Sequence, residues 1–499
     1  MPNPSDRFSR GAGTQPAVIA GALLLLMAAS LALRVGTLDT GYWIDEGIAV
    51  GIASHDIADI PRVLSQDGNP PLYYLLLHGW MEVFGTTEAA TRALSLVFAL
   101  LAIPVSFWAG SALFDRRAGA LAAAGAAGSP FLTYYAQETR MYSLVVLLSI
   151  LASASFVLAF VRHQRRHLPL LGLWLALLLY THTWGVFLTA AMAVAWLMLW
   201  RKGDVAGRDG ARLGAALALV YAPWLPTVVF QAAHTAAPWA ERPSPLLLLG
   251  IPGGLFGHIA VPLLALAVFA ALRRRPPVDR AVRVLAGIAI ATAAFAWVVS
   301  QIQPAWANRY LAVLLGPLLL ALASVVSRGT RWTAVALAGV AVVWLMTGPP
   351  PIKSNVRTVS AEVAPSIRPG DLVVSTQPEQ VPALYRYLPE GAVYLTPMGL
   401  VSDPRQTDWR DGLKRMRAGQ AETELLPVLA RLDRGRRVLI VTPVPESDPS
   451  QAPWNRAVRI RTREWRKAMQ ANPRLRRIGD LTSLPWNKHA VRAELYEVR

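Results

Sequence analysis

Two adjacent carboxylates, Asp45 and Glu46, follow the aromatic pair Tyr42-Trp43 near the start of the chain. Carboxylates in such a place can take a proton as a general base, bind a divalent cation through oxygen, or cap a helix. A solvated acidic pair that starts an interfacial helix, with Trp43 as its aromatic anchor, would have no catalytic role. The residue types alone leave these alternatives open.

A second polar cluster runs from Tyr134 to Tyr142 and contains Gln137, Glu138 and Arg140. A charge inside the apolar part of a membrane costs roughly 2.5–3.5 kcal/mol, so these groups need one another or a ligand. Glu138 and Arg140 can simply pair. The surrounding tyrosines fit either an interfacial aromatic belt or a platform for a sugar.

Two further side chains stand next to aromatic residues. His182 lies between Tyr180 and Trp184, where a packing role is the simpler interpretation. Arg309 lies in Asn308-Arg309-Tyr310, where its side chain can reach the membrane interface from the end of a helix.

Membrane spans are the elements that must position these residues. Of 499 residues, 54% are hydrophobic and 16% charged, whereas soluble proteins carry about 25% charged residues. The apolar residues cluster in stretches close to the ~20 residues that cross a bilayer. The first stretch, from Ala17 to about Leu33, lacks a cleavage site and is expected to be a retained helix. The sequence predicts eleven spans, at about 17–35, 90–113, 117–134, 141–161, 168–183, 184–200, 212–231, 245–272, 281–302, 309–327 and 332–349.

Loop charge predicts the orientation of these spans. With the N-terminus in the cytoplasm, Lys and Arg collect in the inner loops, as the positive-inside rule requires. The net charge of +18 is therefore explained by basic residues in cytoplasmic loops rather than by nucleic-acid binding. The absence of cysteine excludes disulfides, thiol catalysis and cysteine-bound metal. Under this topology one set of polar residues shares the outer side of the membrane: Asp45, Glu46, Arg140, His182 and Arg309.

The chain divides into residues 1–350, a transmembrane region with a first outer loop at about 36–87, and residues 351–499, an extracytoplasmic α/β domain. In the latter, strand patterns at Leu372–Val374 and Val438–Val441 alternate with helical patterns at Trp409–Ala418 and Arg456–Gln470. Its basic cluster is interpreted as a solvated helix face or a contact with an anionic lipid or acceptor. The cluster comprises Arg456, Arg459, Arg461, Arg463, Arg466 and Lys467.

With these residues in view, about residues 17–330 resemble the GT-C superfamily of integral-membrane glycosyltransferases. The branch with protein O-mannosyltransferases and the aminoarabinose transferases of lipid A is the most similar. Six short motifs carry the resemblance in this order: Trp43-Ile44-Asp45-Glu46, Asn69-Pro70-Pro71-Leu72-Tyr73-Tyr74, Phe114-Asp115-Arg116-Arg117-Ala118-Gly119, Tyr134 to Tyr142, Tyr180-Thr181-His182 and Asn308-Arg309-Tyr310.

The resemblance implies transfer of a sugar from a polyprenyl-phosphate donor to a cell-envelope acceptor (a glycan, lipid or protein) on the outer face of the membrane. The Ala-, Arg- and Gly-rich composition indicates a bacterium, so the expected location is a bacterial inner membrane. The resemblance also implies an inverting displacement with Asp45 as the base and Glu46 beside it. Arg140, Arg309 and His182 are expected to bind the donor phosphate. No cofactor is predicted; a divalent cation held by the carboxylates is the alternative. Further substrate contacts are expected from Asn69, Tyr73, Gln137, Glu138, Tyr142 and Tyr310.

A transporter or flippase of polyprenyl-linked glycolipids is the rival interpretation, because it too needs a polar cavity. Transporters of that kind usually show internal repeats and broken helices near the middle of the membrane. We find no repeat in this sequence, and the informative residues lie at the predicted outer ends of spans.

Overall fold

The computed structural model describes residues 14–235, 237–273, 278–444, 450–481 and 489–499. It is a helical bundle followed by a smaller domain built on one β-sheet. Arg274 and Arg275, which belong to a predicted inner loop, and the predicted cytoplasmic N-terminus before residue 14 lie outside the described residues.

Eighteen α-helices are described in the part of the chain up to residue 346. In chain order they are α1 (Thr14–Leu33), α2 (Ile44–Ala53), α3 (Ile60–Asp67), α4 (Leu72–Phe84), α5 (Glu88–Leu113), α6 (Arg116–Gly128), α7 (Pro130–Tyr135), α8 (Tyr142–Phe156), α9 (Leu168–Thr181), α10 (Gly185–Arg201), α11 (Gly207–Tyr221), α12 (Leu225–His234), α13 (Leu246–Leu249), α14 (Ile251–Phe256), α15 (Val261–Leu272), α16 (Arg280–Ile302), α17 (Ala312–Ser327) and α18 (Arg331–Met346).

The chain is a multi-pass membrane protein. Among the described residues, six helical segments are long and apolar enough to cross a membrane, judged by length and composition. They are Pro16–Leu33, Glu88–Leu113, Tyr142–Val161, Gly207–His234, Arg280–Ile302 and Asn308–Ser327. Two shorter apolar helices, α10 and α18, fall at two further predicted spans. The count of eleven spans stays a prediction.

The predicted span at 245–272 has a different form from the one expected. Residues Leu246–Phe256 and Val261–Leu272 form a pair of helical segments bent by 90° at a short break. Gly257 lies in that break with φ of +85°, a backbone conformation that side-chain-bearing residues rarely adopt. The glycine therefore turns the chain within the stretch that was assigned to one span broken by glycine and proline.

The first loop, residues 34–87, is helical and packed rather than extended over the surface. Helices α2, α3 and α4 contribute Ile48, Leu64 and Leu77 to the same buried core as the bundle. Arg34, at the end of α1, is fully buried and donates to the carbonyl of Ala126 at 2.8 Å, at the C-terminal end of α6. These contacts hold the first loop firmly on one end of the bundle.

The C-terminal domain is a small α/β domain, as predicted. Its helices are α19 (Val356–Val363), α20 (Val381–Tyr387), α21 (Gly412–Ala418), α22 (Leu426–Ala430) and α23 (Pro453–Ala471). Its strands are β1 (Leu372–Ser375), β2 (Val393–Thr396), β3 (Gly399–Leu400), β4 (Arg437–Pro443), β5 (Leu475–Leu481) and β6 (Val491–Val498).

The sheet has the order β3-β2-β1-β4-β6-β5. Strands β2, β1 and β4 are parallel, and Val373 on β1 pairs with Tyr394 on β2 and Leu439 on β4. The remaining pairs are antiparallel. One face packs on α19 and α20 and the other on α22 and α23, so β1 and the interior of β4 are buried.

The C-terminal domain docks directly on α2. A Cβ atom at Gly51 would lie 1.9 Å from the carbonyl oxygen of Arg405, so the two backbones touch there. Just beyond α2, His55 Nε2 lies 2.7 Å from Asp403 Oδ2. The helix that begins with the two predicted catalytic carboxylates is therefore clamped between the bundle and the sheet domain.

The basic cluster on α23 is partly neutralised within the domain. Arg466 pairs with Glu494 on β6 at 2.5 Å, and Arg461 pairs with Glu464 one turn away. These two arginines therefore stabilise the domain itself, whereas the interpretation of the whole cluster as an anion-binding face stays a prediction.

Candidate active site

Helix α2 places Asp45 and Glu46 in its first turn, where the unpaired backbone N–H groups favour negative charge. Glu46 is buried and forms a two-point ion pair with Arg92 on α5, with distances of 2.7 Å (Nε to Oε1) and 2.6 Å (Nη2 to Oε2). The backbone N–H of Thr139 also donates to Glu46, at 2.9 Å. Glu46 thus ties α2 to α5 and to the second polar cluster; a role for it in the chemistry stays a prediction.

Asp45 has a looser environment than its neighbour. Its carboxylate lies 3.6 Å from the guanidinium of Arg309, and the two side chains keep 18% and 23% exposure. Asp45 Oδ2 has no hydrogen-bond partner among the described residues. Burial raises the pKa of Asp45, but the nearby charges of Arg309, Arg140 and Lys353 lower it below its ordinary value. Asp45 is therefore a carboxylate with one free acceptor oxygen at neutral pH.

The two predicted phosphate-binding arginines lie on either side of Asp45. Arg140 is buried and donates to the backbone oxygen of Asp45 and to the hydroxyl of Tyr74, both at 3.3 Å. The Arg309 guanidinium lies 5.0 Å from the ring centroid of Trp239 and 5.5 Å from that of Tyr310. The structure thus brings together three charged groups from widely separated parts of the sequence.

His182 begins the sharp break between α9 and α10. Its Nδ1 accepts a hydrogen bond from the backbone N–H of Trp184 at 3.1 Å. Its ring lies 4.8 Å from that of Tyr310 and 5.9 Å from that of Tyr142, measured between centroids. These three predicted residues form one aromatic cluster next to Arg309, while binding of the donor phosphate by His182 stays a prediction.

Two of the predicted substrate contacts, Asn69 and Tyr73, form hydrogen bonds within the protein. The Asn69 amide donates to Asp67 at 2.5 Å. The hydroxyl groups of Tyr73 and Ser95 share a hydrogen bond of 3.0 Å. The Ser95 hydroxyl also donates to the backbone carbonyl of Arg140. These contacts stabilise the residues around Asp45 and Arg140.

Gln137 is also engaged by the protein. Its side-chain oxygen accepts from the backbone N–H of Thr37 at 3.0 Å and from the Thr37 hydroxyl at 2.8 Å. The amide thereby joins the second polar cluster to the start of the first loop. Whether Asn69, Tyr73 and Gln137 also touch a substrate stays a prediction.

Lys353 is the main residue of this site that the sequence patterns did not indicate. It follows Pro349-Pro350-Pro351, the segment that leaves α18. Lys353 forms an ion pair with Glu138, so Glu138 does not pair with the nearby Arg140, which the sequence had suggested as its partner. The Lys353 ammonium also lies 3.8 Å from the ring centroid of Trp43. The one available signal was a lone lysine at the predicted outer end of the last span.

A cavity of about 780 Å³ opens beside Arg309, the ion-pair partner of Asp45. Its wall includes Arg309 from the bundle and both Lys353 and His489 from the C-terminal domain. His489 stacks on Trp43 with 5.1 Å between ring centroids. The remaining wall is rich in aromatic side chains, among them Trp43, Phe131, Tyr134, Tyr135, Trp239 and Trp306. Aromatic faces and a few charged groups suit a sugar attached to an anionic group.

Within the described residues, no group of three or more histidine, aspartate or glutamate side chains is arranged to hold a metal ion. The expectation of no metal requirement stays a prediction.

One protein-family model matches part of the chain. The family model described as dolichyl-phosphate-mannose-protein mannosyltransferase matches residues 68–226. No curated protein matches the chain in sequence.

Several solved structures are similar in fold. ArnT from Cupriavidus metallidurans in the apo state has 15% sequence identity and a TM-score of 0.62, with coverage of 96% of this chain and 98% of ArnT. The same protein bound to undecaprenyl phosphate has 14% identity and a TM-score of 0.59, with coverage of 95% and 98%. The arabinofuranosyltransferase AftD from mycobacteria has 16% identity and a TM-score of 0.52, covering 97% of this chain and 40% of AftD.

The chain has the fold of the GT-C superfamily of integral-membrane glycosyltransferases, which confirms the resemblance inferred from its motifs. It is a multi-pass helical membrane protein with a small C-terminal sheet domain.

Proposed function

We propose that this protein transfers a sugar from a polyprenyl-phosphate donor to a hydroxyl group of a cell-envelope acceptor on the outer face of a bacterial inner membrane. The observation that carries the proposal is that Asp45 Oδ2 is buried without a hydrogen-bond partner among the described residues and lies next to Arg309, which lines the large cavity. A buried carboxylate oxygen without a donor is costly to a protein, which argues for a partner supplied by a substrate.

The chemistry is a single displacement at the anomeric carbon. The acceptor oxygen forms a bond to that carbon while the bond from the carbon to the phosphate oxygen breaks, and its electron pair leaves with the phosphate. The acceptor proton passes to Asp45, and attack from the face opposite the leaving group inverts the configuration. Because a phosphate leaves as a stable anion, it needs positive charge rather than a general acid.

Arg309 is suited to supply that charge. Its only ion pair among the described residues is the long one with Asp45. A guanidinium binds phosphate through paired N–H donors, and such bonds are strong where water is excluded. A phosphate that engages Arg309 would weaken its hold on Asp45 and make that carboxylate available to the acceptor hydroxyl.

The bundle also offers a place for a prenyl chain. An apolar groove of about 270 Å³ runs between α1, α6, α17 and α18, lined by residues such as Leu26, Leu121 and Leu322. Its wall includes Gly128 and Phe256, which adjoin Pro130 and Gly257 at the polar cavity. A lipid-linked donor could thus keep its chain in the membrane and its phosphate in the cavity. ArnT bound to undecaprenyl phosphate has the same fold, which supports this donor class.

The test compares wild-type protein with Asp45→Asn in a transfer assay and in mass spectrometry of co-purifying lipids. We expect a polyprenyl-phosphate sugar with both proteins and a loss of turnover of about 10²–10⁴-fold in the variant, the usual contribution of a general base. Asp59→Asn is the matched control, because Asp59 lies in the same loop in an exposed pair with Arg62. Full turnover by Asp45→Asn would refute the assignment. Recovery of intact polyprenyl-diphosphate oligosaccharides, with no transfer, would instead support a flippase.

A further inference from the structure

The cations around Asp45 differ in whether they face the cavity. Arg309 and Lys353 form part of the cavity wall. Arg140 points its Nη1 at the Tyr74 hydroxyl and the Asp45 backbone oxygen and does not belong to the wall formed by the described residues. The two cations that line the cavity are therefore Arg309 and Lys353, while binding of the donor phosphate by Arg140 stays a prediction.

Lys353 is held in a position that a merely structural lysine would not need. Its side chain is only 15% exposed, and its ion-pair partner Glu138 is 6% exposed. The ammonium lies over the rings of Trp43 and Tyr134, at 3.8 Å and 4.8 Å from their centroids. A buried ion pair is costly to form and is often replaceable by apolar residues without loss of stability, so its presence at a cavity wall suggests a functional reason.

The pair also has unused hydrogen-bonding capacity. Glu138 Oε2 is buried without a partner among the described residues. A lysine ammonium has three N–H donors on a flexible stem. Glu138 and the Tyr134 hydroxyl take two of them, which leaves one donor for a second anion. Burial lowers the pKa of Lys353, but the charge of Glu138 raises it above its ordinary value, so the side chain stays charged at neutral pH.

We propose that Lys353, supplied by the chain segment that leads into the C-terminal domain, is a second cationic ligand of the polyprenyl phosphate, and that Glu138 is its positioning residue. This inference rests on the proposed function. The donor phosphodiester carries one negative charge, and the departing phosphate gains a second as its bond to the sugar breaks. Arg309 and Lys353 on the same cavity wall would share that charge, which makes the C-terminal segment part of the active site.

The test measures binding of undecaprenyl phosphate to the purified full-length protein, with undecaprenol as the uncharged probe. Lys353→Met keeps the apolar stem over Trp43 but removes the charge. We expect it to weaken binding of undecaprenyl phosphate by about tenfold or more, the usual effect of losing a charged hydrogen bond, and to leave undecaprenol binding unchanged. Lys353→Arg should recover most of the affinity for the phosphate.

Arg357→Ala is the matched control for docking of the same segment. Arg357 donates to the Asp39 carbonyl at 2.7 Å and lies 3.6 Å from Glu88, away from the cavity wall. The affinity of the Arg357→Ala variant for undecaprenyl phosphate should stay at the wild-type value. Equal affinity in wild-type protein and Lys353→Met, or an equal loss for both lipids, would overturn the assignment of Lys353 alone. Wild-type protein that fails to bind undecaprenyl phosphate would overturn the proposed function as well.

Discussion

Asp45 and Glu46 are neighbours in sequence but have opposite electrostatic surroundings. Glu46 lies 2.6 Å from Arg92 in a pair whose side chains are 1% and 3% exposed. Asp45 lies 3.6 Å from Arg309 in a pair that is 18% and 23% exposed. The first turn of α2 thus carries one short, buried ion pair inside the protein and one longer, partly exposed ion pair next to the cavity. The two carboxylates should therefore respond differently to mutation.

Glu46→Gln should lower the stability of the protein strongly, whereas the turnover of each folded molecule should change little. Removing one partner of a buried pair leaves Arg92 as an uncompensated charge, which typically costs about 3–5 kcal/mol. Thermal unfolding in detergent measures the loss, and Asp45→Asn is the internal comparison. A melting temperature for Glu46→Gln equal to that of Asp45→Asn would contradict the structural role assigned to Glu46.

Arg309 should contribute to donor binding through both its charge and its shape. Arg309→Ala should weaken binding of a polyprenyl-phosphate sugar by about tenfold or more, because a charged hydrogen bond is lost. Arg309→Lys should bind with intermediate affinity, since it keeps the charge but not the planar fork. Arg242→Ala, which changes an exposed arginine, is the control. Unaltered donor affinity in Arg309→Ala would remove this residue from the phosphate site.

The acid limb of the pH–rate profile should report on Asp45. Its pKa is lowered by Arg309, Arg140 and Lys353 against the raising effect of burial. Asp45 therefore stays ionised as the pH falls to the ordinary aspartate value of about 3.9, and base catalysis should be lost only below it. In Arg309→Ala the raising effect of burial is opposed by less positive charge, so the limb in kcat/KM should move to higher pH. A limb that does not move in this variant would mean that another group limits the rate.

The contact between α2 and the C-terminal domain should be sensitive to a single methyl group. In Gly51→Ala the new Cβ would meet the Arg405 carbonyl at 1.9 Å, so the domain must shift away from α2. We expect a lower melting temperature and reduced turnover. Gly79→Ala is the control, because no atom outside its own helix lies within 4 Å of that position. Wild-type stability in Gly51→Ala would show that this contact does not hold the domain.

The predicted topology can be tested by labelling, because the chain contains no cysteine. Glu390→Cys adds an exposed thiol to the C-terminal domain, and Lys202→Cys adds one to a predicted inner loop. An impermeant maleimide should label the first variant in intact cells and the second only after lysis. The reverse pattern would invert the orientation of the whole bundle and place the cavity in the cytoplasm.

Local sequence patterns were sufficient for the class of fold. Hydrophobic stretches report on membrane helices because each span meets the bilayer largely on its own, and the strands β1 and β4 coincide with short apolar runs. The bent pair at 246–272 departed from the pattern because one glycine conformation turns the chain without changing its composition.

The sequence by itself determined that this is a multi-pass membrane protein, and its short motifs singled out Asp45, Arg140, His182 and Arg309. Only the tertiary structure decided which charges meet. Arg92 pairs with Glu46, which is 46 residues away in sequence, and Lys353 pairs with Glu138, which is 215 residues away. Such pairings follow from how distant helices and the C-terminal domain pack, and no local periodicity records them.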